Sequence, residues 1–184
     1  MLRTKTEEVQ NRYKGLMQHV STDEDLRNLA AHLYCLIDTD PIQAIVEAKQ
    51  FRGKGLAKVP AQILRASIFV DAGGQARDRA AVRDGIKIFD SLTRKHPDEL
   101  ILLYNYANGL SSLAQLDPST VPDWYVSTHA QRRKARRFYY NVATNENAPP
   151  ELRAQAFINL GNELDRGYRW VEAYDYWVGA FAIS

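Results

Sequence analysis

Three groups of residues in this chain have types and spacings that suggest chemistry. Arg27 and His32 bracket four residues, Asn28-Leu29-Ala30-Ala31. An imidazole titrates near neutrality and can serve as acid or base. The run Gln131-Arg132-Arg133-Lys134-Ala135-Arg136-Arg137 carries five cations, with Trp124, Tyr125, Phe138, Tyr139 and Tyr140 nearby. Guanidinium groups beside aromatic rings can pair with phosphates and stack on bases. A helix turns by about 100° per residue, so these five charges spread around much of its surface. With a net charge of +2, a solvated helix face bordered by aromatic core is the plainer expectation. Thirdly, Asn108 and Asn162 recur in matching settings, Asn105-Tyr106-Ala107-Asn108 and Asn159-Leu160-Gly161-Asn162. An amide offers donors and an acceptor, and can either clamp a peptide backbone or bond across helix packing.

Other chemistries find no support in the sequence. His19, His32, His96 and His129 lack metal-ligand spacing, so no metal is expected. Gly73-Gly74 is too short to cradle a phosphate, there is no dinucleotide fingerprint, and no cofactor is expected. Cys35 sits among apolar helix residues and reads as core rather than nucleophile. As the single cysteine it excludes an intrachain disulfide and fits a reducing compartment. No apolar run approaches the roughly 20 residues of a membrane span. The N-terminal segment has acidic residues and no hydrophobic region of the secretory type. The expectation is a cytoplasmic, soluble chain with no membrane partner.

The elements that must position these residues all read as helix, because apolar residues recur at three- and four-residue spacing. About nine helices are expected in 184 residues. The first covers about Thr4 to Val20. Ser21-Thr22-Asp23 offers N-caps to the second, with Glu24 and Asp25 suiting its dipole. Asp38-Thr39-Asp40 ends it and caps the third, which opens on Pro41 and stops at Gly53 and Gly55. Pro60 opens the fourth, which ends at Gly73-Gly74. Pro97 separates the fifth from the sixth, Glu99 to Leu116. A loop from Asp117 to Asp123 leads to the seventh, about Trp124 to Asn145. Pro149-Pro150 begin the eighth, and Gly167 separates it from the ninth.

The last two helices carry the clearest pattern. Phe157, Leu160, Gly161, Leu164, Ala173, Trp177 and Ala180 place small residues where two helices cross closely and bulky ones where the gap opens. This set resembles a tetratricopeptide repeat, with one departure: Tyr168 stands where the family usually has glycine. A second unit resembles a degenerate copy, with Ala107 and Leu110 in one helix and Ala135, Tyr139 and Val142 in the next. Its two small residues lie 28 positions apart, against 12 for Gly161 and Ala173. Gly85, Phe89, Leu92 and Pro97 suggest a third. The resemblance implies an all-α fold of stacked antiparallel helical hairpins, a tetratricopeptide-like α-solenoid in a single domain. Residues 1–59 would form divergent hairpins, 60–97 a degenerate repeat, 98–147 a repeat with an inserted loop, and 150–184 the best repeat.

The resemblance further implies a scaffold that holds a peptide or partner helix in a concave groove. Carried onto this chain, the groove positions are Tyr104, Asn108, Ser111, Ser112, Gln155, Ile158, Asn162, Asp165 and Arg166. The family's clamp for acidic chaperone tails is not matched at Tyr104 and Ile158. Separately, Arg27 and His32 are similar to the R-x4-H motif of HEPN ribonucleases, in which such a pair acts on the scissile phosphate. That implies the alternative of an RNA-processing protein, with ordinary helix residues as the plain reading. The aromatic crowding of Tyr168, Trp170, Tyr174, Trp177 and Phe181 points to an open end at the last hairpin. There a partner docks, the chain self-associates, or a longer natural protein continues.

Overall fold

A computed structural model describes residues 23–50, 59–117 and 130–183. Among these residues the chain is entirely helical, with no strand. The helices are α1 (Glu24–Thr39), α2 (Pro41–Gln50), α3 (Val59–Gln75), α4 (Arg79–Lys95), α5 (Leu100–Gln115), α6 (Ala130–Ala143), α7 (Pro150–Asp165) and α8 (Trp170–Phe181). The helix expected over Thr4 to Val20, the stop at Gly53 and Gly55, and the stretch from Trp124 to His129 lie outside the described residues.

Local chemistry sets most boundaries. The Asp23 carboxylate accepts from the Leu26 amide at 3.2 Å and opens α1. Asp40 accepts from the Gln43 amide at 3.0 Å ahead of Pro41 and opens α2. Asp78 accepts from the amides of Ala80 and Ala81, at 2.9 and 3.1 Å, and opens α4. Each cap satisfies amides that have no partner inside the helix. One boundary differs from expectation. Gly73 and Gly74 do not end α3, which continues to Gln75. Gly73 is instead a packing residue, because a methyl there would sit 2.9 Å from Val82 Cγ2.

The chain divides into two compact units, Met1–Phe89 and Asp90–Ser184, with the boundary inside α4. In the first unit, α1, α2 and α3 pack together around Leu26, Leu33, Ile37, Ile45, Leu64, Ile68 and Phe69. α3 and α4 cross closely at Gly85, where an added Cβ would lie 2.7 Å from the Ala66 carbonyl oxygen. In the second unit α5 packs on α6, α6 on α7 and α7 on α8. Ala107 and Ala135 are both fully buried between α5 and α6. In the last hairpin, a methyl on Gly161 would meet Trp177 Cδ1 at 2.6 Å and the Ala173 carbonyl oxygen at 3.1 Å. Small residues thus stand at the close crossings of α3 with α4 and of α7 with α8. The bulky residues four positions later, Phe89 and Tyr139, fill the core behind Gly85 and Ala135.

Two turns share one construction. After α3 the Asp78 amide bonds back to the Gly73 carbonyl at 2.7 Å, and Arg77 to Gly74 at 3.2 Å. After α7 the Arg169 amide reaches the Leu164 carbonyl at 3.1 Å, and Tyr168 reaches Asp165 at 2.8 Å. This nested pair is the Schellman closure, which needs a left-handed residue. That residue is Arg77 (φ +56°) in one turn and Tyr168 (φ +58°) in the other. Tyr168 therefore adopts the conformation for which glycine is normally selected. Measured from the turn, the crossings differ: Gly85 follows Arg77 by eight residues, and Ala173 follows Tyr168 by five.

Candidate interaction surface

The second unit contains a buried charged cluster. Glu163, on α7, is 1% exposed, yet periodicity places it on the same face as Ala156, Leu160 and Leu164. Arg132, also buried, lies on the face of α6 that carries Ala135, Tyr139 and Val142. The two meet at 3.1 Å, from Arg132 Nη1 to Glu163 Oε2. Glu163 Oε1 also accepts from the Ser111 hydroxyl at 2.5 Å and from Arg166 Nη1 at 2.7 Å. Three donors from α5, α6 and the end of α7 thus close on one carboxylate. Such saturation is what a buried charge requires. Further cations surround it. The Arg136 guanidinium is held below its ordinary range, first by burial, then by Arg169, with Arg132 and Arg133 acting the same way and Glu163 opposing them. Arg169 itself pairs with Glu172.

A second polar network joins α4, α5 and α6. The Tyr106 hydroxyl donates to Asp90 at 2.8 Å and accepts from Lys134 Nζ at 2.8 Å. Lys134 also stands over the Tyr106 and Phe138 rings, 4.5 and 5.5 Å from their centroids. Arg94 pairs with Asp90 from the next turn of α4. Arg94 first, then the Tyr106 hydroxyl and Lys134, keep the Asp90 carboxyl below the usual carboxylate range. Burial and Asp90 together raise the Tyr106 phenol.

The basic run is therefore divided by the fold. Arg132 is buried in an ion pair, Lys134 is engaged by Tyr106 and Asp90, and Arg136 is half-buried. Arg133 and Arg137 remain exposed.

The groove residues implied by the repeat resemblance also divide. Asn108 Oδ1 accepts from the Tyr139 hydroxyl at 2.7 Å and from Asn159 Nδ2 at 3.1 Å. Asn159 Nδ2 also donates to the Tyr104 hydroxyl at 3.1 Å. Asn162 Oδ1 accepts from Trp177 Nε1 at 3.2 Å. Tyr104, Asn108 and Asn162 thus take part in helix packing, and Ser111 and Arg166 belong to the Glu163 cluster. Ser112 and Gln155 are half-buried, and Ile158 and Asp165 are exposed.

The α8 helix buries Ala173 and Ala180 and exposes the opposite face. Trp170, Val171 (79% exposed), Tyr174, Val178 and Phe181 (82%) are all open to solvent. Tyr168, just before them, is exposed and meets Trp170 edge to face, at 5.9 Å between centroids. Val171, Tyr174, Val178 and Phe181 follow a 3-4-3 spacing, which lines them up along one helix face.

In the first unit, His32 Nε2 and Glu47 Oε2 lie 2.8 Å apart, linking α1 to α2. Gln43 donates to the other Glu47 oxygen at 3.1 Å. These contacts, that of Gln43 first, lower the Glu47 carboxyl. Glu47 is thus a partner of His32 that spacing along one helix does not reveal. Its signal was faint, because the two residues are 15 positions apart on different helices. Arg27 and His32 are five positions apart on α1, which sets them about 140° apart around the axis. Burial, with Asp38, raises the Cys35 thiol, as suits a packing residue better than a nucleophile.

Among the described residues, no group of three or more His, Cys, Asp or Glu could hold a metal, and no helix is long and apolar enough to cross a membrane. No family model matches the chain, nor does any curated protein or solved structure.

Proposed function

We propose that this chain is a protein-interaction scaffold, and that the exposed face of α8 receives a helix from a partner protein. One observation carries the reading: Val171, Tyr174, Val178 and Phe181 form an uncovered apolar stripe at 3-4-3 spacing. That spacing is half of a knobs-into-holes seam, which a second helix with the same repeat completes. Large exposed apolar patches on a folded surface mark interaction sites. The tetratricopeptide-like pairing of small and bulky residues in the last hairpin supports a scaffold role. The asparagines of the implied groove are poorer contact residues than α8, because their amide oxygens already accept bonds from Tyr139, Asn159 and Trp177.

The test uses a designed, fluorescently labelled helix with a leucine stripe, titrated into the full chain and followed by anisotropy. Binding should be saturable, and Val171→Asp with Phe181→Asp should abolish it without changing the helical circular dichroism. Light scattering on the free chain distinguishes a partner from a second copy. A dimer that the same two substitutions dissolve would assign the stripe to self-association.

A ribonuclease reading has one observation in its favour, the oriented His32–Glu47 pair, which resembles a general base with its positioning carboxylate. It predicts RNA cleavage that His32→Ala removes and Cys35→Ala does not. Intact RNA after prolonged incubation would end it.

A further inference from the structure

We infer that the helix received by the α8 face is the α8 of a second copy of this chain, lying antiparallel across a two-fold axis at the level of Tyr176. This rests on the interaction reading above and names the partner. Spacing comes first. Val171, Tyr174, Val178 and Phe181 stand at intervals of three, four and three, which read the same in both directions. The stripe is therefore symmetric about its midpoint, residue 176. With a second α8 laid antiparallel and the midpoints in register, Val171 falls opposite Phe181 of the second copy, and Tyr174 opposite Val178 of the second copy. In both layers a β-branched valine meets an aromatic ring, so large faces small and the two surfaces interdigitate. A parallel pairing would set valine on valine and ring on ring, leaving one layer thin and the next crowded. An isologous contact needs one surface that complements itself, and it closes at two chains.

Area supplies the second step. Trp170, Tyr174 and Phe181 are 63, 64 and 82% exposed, and Val171 and Val178 add aliphatic surface beside them. An aromatic side chain carries about 150–250 Å², so covering this patch on two copies removes on the order of 1,000 Å² from water. That reaches the roughly 1,000 Å² a specific interface requires, and falls short of the about 2,000 Å² or more of an obligate one. The pair is thus a reversible dimer of chains that fold on their own. Charge at the rim sets its strength. Asp175 is exposed, flanks the stripe and lies one residue from the axis, so it faces Asp175 of the second copy. This like-charge contact is open to water, so it weakens the pair without forbidding it. A heterologous partner helix carries no such requirement, which makes Asp175 a marker of two-fold pairing.

Sedimentation equilibrium of the full chain, from low micromolar to near-millimolar concentration, should show monomer and dimer in exchange. Val171→Asp with Phe181→Asp should leave only monomer, with the helical circular dichroism unchanged. Register is read by oxidation in a Cys35→Ala background. An equal mixture of Val171→Cys and Phe181→Cys chains should cross-link several-fold faster than either alone, because the two copies of residue 171 lie about 15 Å apart along antiparallel helices. Asp175→Lys leaves the stripe intact. Mixed with the unmodified chain at low salt, it should form heterodimer well above the statistical share, and the excess should fade as salt is added. Cross-linking of Val171→Cys alone at the rate of the mixture, or a purely statistical heterodimer share, would overturn the antiparallel two-fold. A chain that stays monomeric throughout would overturn the second copy as occupant. Binding of the leucine-striped helix, still lost on Val171→Asp with Phe181→Asp, would in that case leave the interaction reading standing. Neither dimer nor helix binding would end both.

Discussion

At the scale of single residues, Tyr168 and Arg77 are the positions where sequence and backbone disagree most. Both close a helix in the left-handed region, with φ near +57°, where a Cβ crowds the following carbonyl. Glycine removes that crowding, although it also enlarges the unfolded ensemble. The balance favours Tyr168→Gly and Arg77→Gly, each by about 0.5–1 kcal/mol, readable as a higher midpoint in urea at constant slope. A loss of stability in both would mean that the side chains contribute more than the strain costs. Glu163 is the opposite case, a residue whose chemistry is fully satisfied. Glu163→Gln leaves buried Arg132 without its counter-charge and should cost about 3 kcal/mol or more. Arg166→Ala, removing the exposed partner of the same carboxylate, should cost under about 1 kcal/mol. Equal costs would contradict the assignment of Arg132 as the buried partner. Neither the burial of Glu163 nor its partners emerged from the sequence: it stands on the face of α7 that carries Ala156, Leu160 and Leu164, while Ser111 and Arg132 lie 52 and 31 residues away.

At the scale of elements, local rules carried the reading well. Asp23 and Asp40 cap where their side chains predict, Pro41 and Pro150 open helices, and Gly161 meets Ala173 and Trp177 where the spacing of small and bulky residues requires. Such features depend on residues within one helix or one hairpin, so spacing alone exposes them. The end of α3 was misread for a reason of packing: Gly73 is small because Val82 and Ala81 press on it, and its backbone stays helical. The His32–Glu47 contact and the Tyr104–Asn108–Tyr139–Asn159 network were also hidden, since they depend on how separate helices are turned toward each other. The crossing at Gly161 gives a direct test of hairpin packing. Gly161→Ala places a methyl against Trp177 and the Ala173 carbonyl, and should cost about 1–3 kcal/mol through overpacking. Trp177 fluorescence should shift with it. Gly179→Ala, whose methyl would meet Phe157 at an ordinary 3.9 Å, is the control and should be near neutral. If Gly161→Ala were equally silent, the close approach of α7 and α8 would be in error.

At the scale of the whole molecule, the two units each have a buried apolar core, and they should differ in their response to acid. The first has an extended apolar core in which Leu33, Leu64, Ile68 and Phe69 are buried, and its Glu47 pair is largely exposed and therefore weak. The second joins α4, α5 and α6 through Asp90, Tyr106 and Lys134. The sign of the pH effect follows from the direction of the shift. Asp90 binds its proton less readily in the folded chain than in the unfolded one, so it contributes stability above the ordinary Asp value of about 3.9. That contribution is lost as pH falls through the lower folded value. Hydrogen exchange between about pH 5 and pH 3 should therefore show α5 and α6 losing protection, relative to their values at pH 5, before α3 does. Asp90→Asn should remove the difference by abolishing the acid-labile term and lowering the protection of α5 at neutral pH. If α3 opened first, or if Asp90→Asn left the acid response of α5 and α6 unchanged, the Asp90–Tyr106–Lys134 network would not be what ties these helices together.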